Sequence, residues 1–218
     1  MLLSGRGERL YKTIGVKKQF YFLGGKHIYL YPLESAIKCQ LFEKVILVVD
    51  HEDEEKVNEE VTALYQGFDI EVITGGESRN ESVYNALRKL AAANPDKVII
   101  HDAARPFLDI KTLQEVVIAS DASQAVTCYT KVYDSLFDIE SEQYLDRKNK
   151  ALIYTPQAFD YKLIKSAYDE GYREDSTDDF SKVLDKKVTH KYVLAPSYLF
   201  KVTDEKSLEL ATLIMKEN

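Results

Sequence analysis

Short apolar runs recur along the chain, and stretches with a helical periodicity separate them. The clearest run, residues 45–49, has no polar alternation, which is typical of a strand covered on both faces of a parallel sheet. Similar runs predict further strands at residues 1–4, 70–73, 98–100, 125–130, 191–194 and 199–202. The pattern therefore predicts a buried sheet.

The stretches between the runs have the spacing of amphipathic helices. In the helix predicted over residues 52–66, the inward positions are Val57, Val61, Leu64 and Tyr65. Ser78 and Glu81 have the spacing of a capping box, which predicts a helix beginning there. Other helices are predicted over residues 29–41, around 113–117, over 161–168, just after the cap Thr177-Asp178-Asp179, and from Asp204. Strands alternating with helices predict a mainly parallel, three-layer α/β fold.

Residues 132–154 interrupt this alternation. They are polar, and two short strand-like runs flank Glu140-Ser141-Glu142. Such a segment predicts a hairpin that projects from the body and needs a partner surface for stability. Thr155-Pro156-Gln157 is expected to end it. We therefore predict a single domain over residues 1–218 with one projecting arm.

Composition narrows the function classes. The chain is 45% hydrophobic and 30% charged, which is ordinary for a globular protein, and its net charge of −7 argues against broad nucleic-acid binding. Cys39 and Cys128 have no metal-ligand or redox spacing and are expected to be buried thiols. No apolar run approaches the length of a membrane span, and the N-terminus lacks a signal-peptide pattern. The expected compartment is cytoplasmic.

Two glycine turns offer binding chemistry. Gly5 and Gly7 allow the backbone to fold tightly around a phosphate, and Arg6, Arg9 and Lys18 place cations nearby. Cations around a glycine turn in an acidic protein indicate a polyanion site, although a solvated basic loop has the same composition. The second turn, Gly75-Gly76, directly precedes a predicted helix and could present bare backbone groups to a flat ligand or a phosphate. A purely structural turn is the alternative.

Asp102 follows the predicted strand at residues 98–100 and so lies at its carboxyl end. Open α/β sheets bind ligands in the crevice beyond these ends. A carboxylate there can hold Mg²⁺ beside a phosphate. The alternative is that Asp102 only caps the following turn.

Several stretches, in this order, resemble the cytidylyltransferases that make CDP-methylerythritol in the non-mevalonate (MEP) pathway of isoprenoid biosynthesis. They are Leu3-Ser4-Gly5-Arg6-Gly7-Glu8-Arg9-Leu10, Lys18-Gln19-Phe20, Gly75-Gly76-Glu77-Ser78-Arg79-Asn80-Glu81-Ser82-Val83, His101-Asp102-Ala103-Ala104-Arg105-Pro106-Phe107 and Thr155-Pro156-Gln157-Ala158-Phe159. The resemblance covers nearly the whole chain. It implies a three-layer, Rossmann-like nucleotidyltransferase fold, with a mainly parallel sheet and an inserted β-arm.

The resemblance also implies a reaction. CTP and 2-C-methyl-D-erythritol 4-phosphate give 4-diphosphocytidyl-2-C-methyl-D-erythritol and pyrophosphate, with Mg²⁺ as cofactor. The arm would cross to a second subunit of a homodimer. The implied roles are catalysis for Arg9 and Lys18, metal binding for Asp102, nucleotide binding for Leu3, Ser4, Gly5, Gly7, Gly76, Glu77, Ser82 and Ala103, and substrate binding for Ser135, Arg147, Thr155 and Lys201. Arg105 is expected to hold its turn together, and His101 to orient it.

The chain departs from the family's pattern in several places. The first strand is short, the loop between Arg9 and Lys18 is long, Lys17 replaces a usual proline, and Ser135 replaces a usual threonine. Two alternatives therefore stay open: a ribitol-5-phosphate cytidylyltransferase that makes CDP-ribitol, and a nucleotide-binding homologue with impaired catalysis. Lys17 is expected to matter much less for turnover than Lys18.

Overall fold

The computed structural model describes residues 1–5, 7–171 and 178–217, apart from the side chains of Glu8 and Arg9. Its helices are α1 (Glu8–Ile14), α2 (Leu30–Lys38), α3 (Glu54–Leu64), α4 (Arg79–Lys89), α5 (Ile110–Asp121), α6 (Tyr161–Asp169) and α7 (Glu205–Glu217). Its strands are β1 (Phe22–Leu23), β2 (Lys26–His27), β3 (Lys44–Val49), β4 (Asp69–Thr74), β5 (Lys97–Ile100), β6 (Ala125–Lys131), β7 (Leu136–Asp138), β8 (Gln143–Leu145), β9 (Ala151–Asp160) and β10 (His190–Leu194). Short 3₁₀ helices cover Lys18–Phe20, His51–Asp53, Arg147–Asn149 and Phe180–Val183.

The strands form a mainly parallel sheet, as predicted. β3 runs parallel to β4, and β6 runs parallel to β10. Leu2 makes parallel bridges to both Val48 and Asp102, so the first residues of the chain lie between β3 and the end of β5. The antiparallel strand of this sheet is β9, which pairs with β5 on one side and β6 on the other. β1 with β2, and β7 with β8, form separate antiparallel pairs.

β9 also corrects the prediction for Thr155-Pro156-Gln157. These residues were expected to end the arm, but they lie inside β9. The register on β6 jumps there, because Thr127 pairs with Gln157 while Cys128 pairs with Tyr154. Thr155 and Pro156 thus form a bulge, where the missing N–H of a proline is tolerated.

Helices cover both faces of the sheet, which confirms the three-layer prediction. Ala125 and Phe159 pack with α4 and α6 in one buried cluster, whereas Val126 and Ala158 pack with α5 in another. Neighbouring residues of one strand thus face opposite layers, as the alternation of side chains along a strand requires.

Three predictions about the apolar pattern were wrong. Residues 1–4 were expected to form a strand, but they contribute isolated bridges at Leu2 and belong to no named strand. Leu64 was expected to face inward, but its position is the last residue of α3 and 55% of its surface is exposed. Residues 199–202 were expected to form a strand, yet they lie outside the named strands. Their one main-chain bond to the turn after β5 runs from Val202 N–H to the Ala104 carbonyl (2.8 Å). A short apolar run signals burial, and burial alone does not require a strand.

The predicted hairpin is present. β7 and β8 pair in antiparallel register, and the rings of Phe137 and Tyr144 meet edge to face at 5.1 Å between centroids. Large apolar side chains of this arm are exposed, including Tyr133, Tyr144 and Ile139, the last with 84% of its surface open. Strands of three residues with such exposure are marginal on their own.

Cys39 and Cys128 are free and buried, as predicted. Within the part of the chain that the structure describes, no helix is both long and apolar enough to cross a membrane.

Candidate active site

The first glycine loop is attached to β3 by hydrogen bonds. Leu3 is buried in the core, and the N–H groups of Leu3 and Ser4 both donate to the Val48 carbonyl (2.8 Å each). Gly7 has a φ of +54°, in the left-handed region that favours glycine. A Cβ on Gly7 would lie 3.3 Å from Cδ of Lys18, so the lysine stem runs along the loop. The loop and Lys18 therefore form one unit.

Gln19 holds this unit together through its side chain. Its side chain is buried, and Nε2 donates to the carbonyl of Leu3 (2.7 Å) and, at 3.4 Å, to that of Gly5. Because Gln19 follows Lys18 directly, the same bonds hold the backbone of Lys18 against the loop. The sequence predicted no role for Gln19 beyond its place in a motif.

A hydrogen-bonded pair of serines joins the second glycine turn to the first. Ser4 Oγ donates to Ser82 Oγ (2.8 Å), which accepts from Gly76 N–H (3.1 Å) and donates to the Ser78 carbonyl (2.9 Å). Gly75 in turn donates its N–H to the Val49 carbonyl (2.7 Å). The two turns thus lie side by side, where β3 and β4 end.

The predicted capping box is half confirmed. Ser78 Oγ accepts from Glu81 N–H (3.1 Å), as predicted, and so caps α4. The Glu81 carboxylate, however, accepts from Glu77 N–H (2.8 Å), one residue before the position that a reciprocal box requires. The turn is therefore stabilised around the exposed Glu77.

Gly75→Ala tests how tightly the turns are packed. A Cβ at Gly75 would lie 2.6 Å from Ser82 Oγ and 3.0 Å from Ser4 Cβ, so it would push the serine pair apart. We expect the free energy of unfolding to fall by about 1–3 kcal/mol, the usual cost of overpacking. Thermal unfolding measures the change. Gly5→Ala is the matched control, because no atom lies within 4 Å of its Cβ position and it should change stability by less than about 0.5 kcal/mol. Equal stability of the two variants would contradict the tight packing.

Asp102 lies buried among cations. Its carboxylate contacts Lys201 Nζ (2.9 Å), Arg79 Nε (3.4 Å) and Arg105 Nε (4.0 Å). Burial alone would raise the pKa of Asp102, but these three positive charges outweigh it and hold that pKa well below its ordinary value. Asp102 N–H donates to Thr155 Oγ1 (3.0 Å), which the β9 bulge places beside it. An ionised carboxylate thus lies at the end of β5.

Arg79 extends this network to a second carboxylate. Its Nη2 contacts Asp179 Oδ2 (2.7 Å), and Tyr168 OH donates to Asp179 Oδ1 (2.5 Å). Burial alone would lower the pKa of Arg79, yet the charges of Asp179 and Asp102 raise it, so the guanidinium stays charged. Of the predicted cap, Asp178 accepts from Ser181 N–H (3.0 Å), whereas Thr177 lies outside the described residues. No role was predicted for Arg79 itself.

Arg105 makes contacts that can hold the turn after Asp102 together, as expected. Arg105 Nη1 donates to the Leu199 carbonyl (3.0 Å), and its guanidinium stacks over the Tyr154 ring at 4.4 Å. His101 is buried as well, and burial lowers its pKa to about 3. The imidazole is therefore neutral near pH 7 and is not poised to transfer protons.

The remaining predicted site residues are divided between the core, the arm and α1. Ala103 is buried, and its N–H donates to the Leu2 carbonyl (3.1 Å). Ser135 and Arg147 are exposed in the arm, where Arg147 donates to the Tyr133 carbonyl. Arg9 lies on α1, and its side chain is outside the described part of the structure.

The structure brings two sets of predicted residues together. Contacts in the described residues join Ser4, Gly76 and Ser82 in one set and Asp102, Thr155 and Lys201 in the other. Leu2 links the sets, because it bridges β3 and Asp102. These contacts do not extend to Ser135 or Arg147.

Two glycine turns and a buried carboxylate at the carboxyl edge of a mainly parallel sheet are typical of nucleotide-binding proteins of the Rossmann-like class. One family model, described as "IspD: 2-C-methyl-D-erythritol 4-phosphate cytidylyltransferase", matches residues 2–217. The chain belongs to this family of nucleotidyltransferases, and the resemblance seen in its motifs is confirmed.

The names of similar proteins agree with this family assignment. The chain is 35% identical over 219 residues to the 2-C-methyl-D-erythritol 4-phosphate cytidylyltransferase of Thermotoga neapolitana, covering 100% of this chain and 96% of the relative. It is 34% identical over 225 residues to the enzyme of the same name from Clostridium beijerinckii, covering 99% and 96%. These names favour the methylerythritol interpretation over the ribitol alternative.

Solved structures extend the likeness to the fold. The Francisella tularensis cytidylyltransferase of the same name is 27% identical, with a TM-score of 0.78 over 97% of this chain and 96% of that one. The 4-diphosphocytidyl-2C-methyl-D-erythritol synthase of Anaerococcus prevotii gives a TM-score of 0.84 over 99% and 95%, at 23% identity. The predicted Rossmann-like nucleotidyltransferase fold is confirmed.

Proposed function

We propose that this enzyme transfers the cytidylyl group of CTP to 2-C-methyl-D-erythritol 4-phosphate, giving 4-diphosphocytidyl-2-C-methyl-D-erythritol and pyrophosphate. Family membership supports the reaction class and the sugar phosphate. The observation that carries the proposal is the serine pair, because it joins two glycine turns at the sheet edge where Asp102 and Lys18 also lie. One nucleotide could then touch both turns.

The two turns have different tasks in this proposal. The loop formed by Leu3, Ser4, Gly5 and Gly7 wraps the triphosphate. Gly5 and Gly7 offer backbone N–H groups, which suit phosphate oxygens, whereas the N–H groups of Leu3 and Ser4 are already paired with Val48 and hold the loop on β3. Gly76, Glu77 and Ser82 contact the cytosine and ribose. The buried N–H of Ala103 is already paired with Leu2, so a nucleotide role for Ala103 is restricted to its carbonyl or to its packing.

The chemistry needs positioning and charge neutralisation. The substrate phosphate oxygen attacks the α-phosphorus of CTP in line, a P–O bond forms, and the bond to the β-phosphate oxygen breaks as pyrophosphate leaves. Lys18 and Arg9 neutralise the charge on the phosphoryl oxygens. Lys18 is suited to this because Gly7 and Gln19 already hold it beside the loop.

The donor set fits Mg²⁺ as cofactor. Mg²⁺ in nucleotide sites is bound by one or two carboxylates together with substrate phosphates and water. Asp102 offers an ionised carboxylate at the sheet edge, and its low pKa keeps it ionised at neutral pH. Bound there, Mg²⁺ would withdraw charge from the phosphate oxygens, and it would compete with Lys201 Nζ, 2.9 Å away, for the Asp102 carboxylate.

The arm supports a homodimer. Its apolar side chains are exposed on a hairpin too short to be stable alone. A two-fold dimer would cover them and carry Ser135 and Arg147 to the partner's sugar-phosphate pocket, near Thr155 and Lys201. A guanidinium suits a terminal phosphate because it can bind two of its oxygens at once.

Complementation tests whether Arg147 acts on the neighbouring subunit. An Arg147→Ala subunit is mixed with a Lys18→Ala subunit and the two are allowed to exchange. If Arg147 acts across the dimer, one site of each mixed dimer carries both defects and the other carries neither. Activity should recover to about half of wild type per mixed dimer. No recovery, with exchange verified by mass, would place Arg147 in its own chain's site.

Pyrophosphate release tests the function itself. CTP is supplied with 2-C-methyl-D-erythritol 4-phosphate or with ribitol 5-phosphate, and the product is identified by mass. We expect release with the first and at least about tenfold lower kcat/KM with the second. Preference for ribitol 5-phosphate would support the CDP-ribitol alternative. CTP binding without release from either would indicate an impaired homologue.

A further inference from the structure

Lys17, which has no part in the proposed chemistry, makes ionic contacts with three carboxylates. Its Nζ lies 2.8 Å from Asp50 Oδ2, 2.5 Å from Glu52 Oε1 and 2.5 Å from Asp53 Oδ2. The lysine side chain is only 14% exposed. Burial alone would lower the pKa of Lys17, but its hydrogen bonds to the three carboxylates raise it above the ordinary value. The ammonium is therefore charged and held on three sides.

The three carboxylates directly follow a buried strand. Asp50 directly follows β3, whose last five residues are buried, and Glu52 and Asp53 lie in the 3₁₀ helix that leads into α3. Isolated surface ion pairs contribute little, but several carboxylates around one half-buried ammonium form a network. Lys17 is thereby tied to the carboxyl end of β3.

The chain around Lys18 is fixed on both sides as a result. Lys17 precedes it and is held by the carboxylates, whereas Gln19 follows it and is held by the Leu3 and Gly5 carbonyls. The Lys17 carbonyl also accepts from Phe20 N–H (2.9 Å), which closes the 3₁₀ helix that begins at Lys18. Lys18 thus lies between two anchors that meet different segments.

We infer that Lys17 is a positioning residue, whose bond to Asp50, Glu52 and Asp53 fixes the backbone of Lys18 and aims its ammonium at the phosphates. This inference rests on the proposed function, because it concerns the lysine that the proposal makes catalytic. Lys17 Nζ is engaged by these three carboxylates. Its effect on turnover passes through Lys18.

The backbone at Lys17 supplies a sharp test. Lys17 has φ −63° and ψ 133°, which a proline adopts without strain. Its N–H makes none of the backbone hydrogen bonds described for this part of the chain. Lys17→Pro should therefore restrain the same backbone without any ammonium, whereas Lys17→Ala removes the restraint.

The experiment measures pyrophosphate release from CTP and 2-C-methyl-D-erythritol 4-phosphate under saturating conditions. We expect Lys17→Ala to lower kcat about tenfold, within the loss that a misplacement of about 1 Å causes, and to change KM for CTP less than about twofold. Lys17→Pro should recover most of the lost kcat. Asp53→Asn should lower kcat in the same direction but less, since Asp50 and Glu52 keep their contacts.

Lys44→Ala is the matched control. Lys44 also contacts two carboxylates, Asp69 (3.4 Å) and Glu71 (2.9 Å), but at the opposite end of β3. It should leave kcat unchanged, and the melting temperatures of both variants are measured so that any difference in stability is taken into account. A general loss of stability would lower activity in both variants.

The outcomes separate this inference from the function on which it rests. An inactive wild-type enzyme would overturn the proposed function and this inference with it. An active wild type with unchanged kcat in Lys17→Ala would overturn the inference alone. If Lys17→Pro stays as slow as Lys17→Ala, the charge of Lys17 acts directly and the positioning role is wrong. If Lys17→Ala does not fold, the kcat values of Lys17→Pro and Asp53→Asn decide in the same way.

Discussion

Lys18→Ala is expected to lower the turnover number at least about a hundredfold, the usual effect of removing one donor that stabilises transition-state charge. The lysine stem lies along Gly7, and Gln19 ties the neighbouring backbone to the loop that we propose to bind the triphosphate. Rapid-quench measurement of a single turnover at saturating CTP would report the chemical step. The unfolding transition should change by less than about 1 kcal/mol, since the side chain is only partly buried.

Two comparisons make this expectation specific. Lys38→Ala removes an exposed lysine that pairs with Glu34 on α2, and it should leave turnover unchanged. Lys17→Ala should cost about tenfold, because a positioning residue affects the reaction only through its neighbour. Equal losses in Lys17→Ala and Lys18→Ala would mean that the catalytic lysine has been assigned to the wrong position.

The layers of the fold were predictable from local pattern. Residues 45–49 are apolar without a break, and they form the buried part of β3. Ser78 was predicted to cap a helix because its side chain needs only the N–H three residues later, and this bond is present. Signals of this kind depend on neighbours in sequence, so a single sequence contains them.

The antiparallel strand could not be predicted in the same way. Proline usually ends a strand because it lacks the N–H that a sheet ladder needs. Thr155-Pro156 was therefore expected to end the arm. The structure places both residues in a bulge of β9, where the register on β6 shifts and no donor is needed. Only the pairing with β6, which is distant in sequence, shows why the strand continues.

In the candidate site, too, features that depend on neighbours in sequence were predicted, whereas contacts between distant residues were not. The glycine turns and Asp102 were found because they follow predicted strands. The partners that hold them were missed, because Arg79 reaches Asp179 across 100 positions and Lys17 reaches Asp53 across 36. A charged side chain carries no periodicity that indicates its distant partner. The family pattern supplied roles for matching residues only, and Lys17 departs from that pattern.

Asp102→Asn is expected to abolish most Mg²⁺-dependent turnover, by about a hundredfold or more, because the variant keeps the shape of the side chain and loses its charge. The structure adds a cost in stability that the sequence did not indicate. Lys201, Arg79 and Arg105 all face this carboxylate, and leaving them partly unpaired should lower the free energy of unfolding by up to about 3 kcal/mol. Activity must therefore be measured well below the melting temperature of the variant.

Asp179→Asn separates the metal role of Asp102 from its structural one. Asp179 is the other carboxylate that Arg79 contacts, and it is fully buried, so its loss should destabilise the protein comparably. Its pairing with Arg79 and Tyr168 gives it no part in the proposed metal site. We therefore expect Asp179→Asn to keep a normal Mg²⁺ dependence when folded, whereas raising Mg²⁺ should not rescue Asp102→Asn. A folded Asp102→Asn enzyme with normal turnover at ordinary Mg²⁺ would make Asp102 a structural residue of its turn.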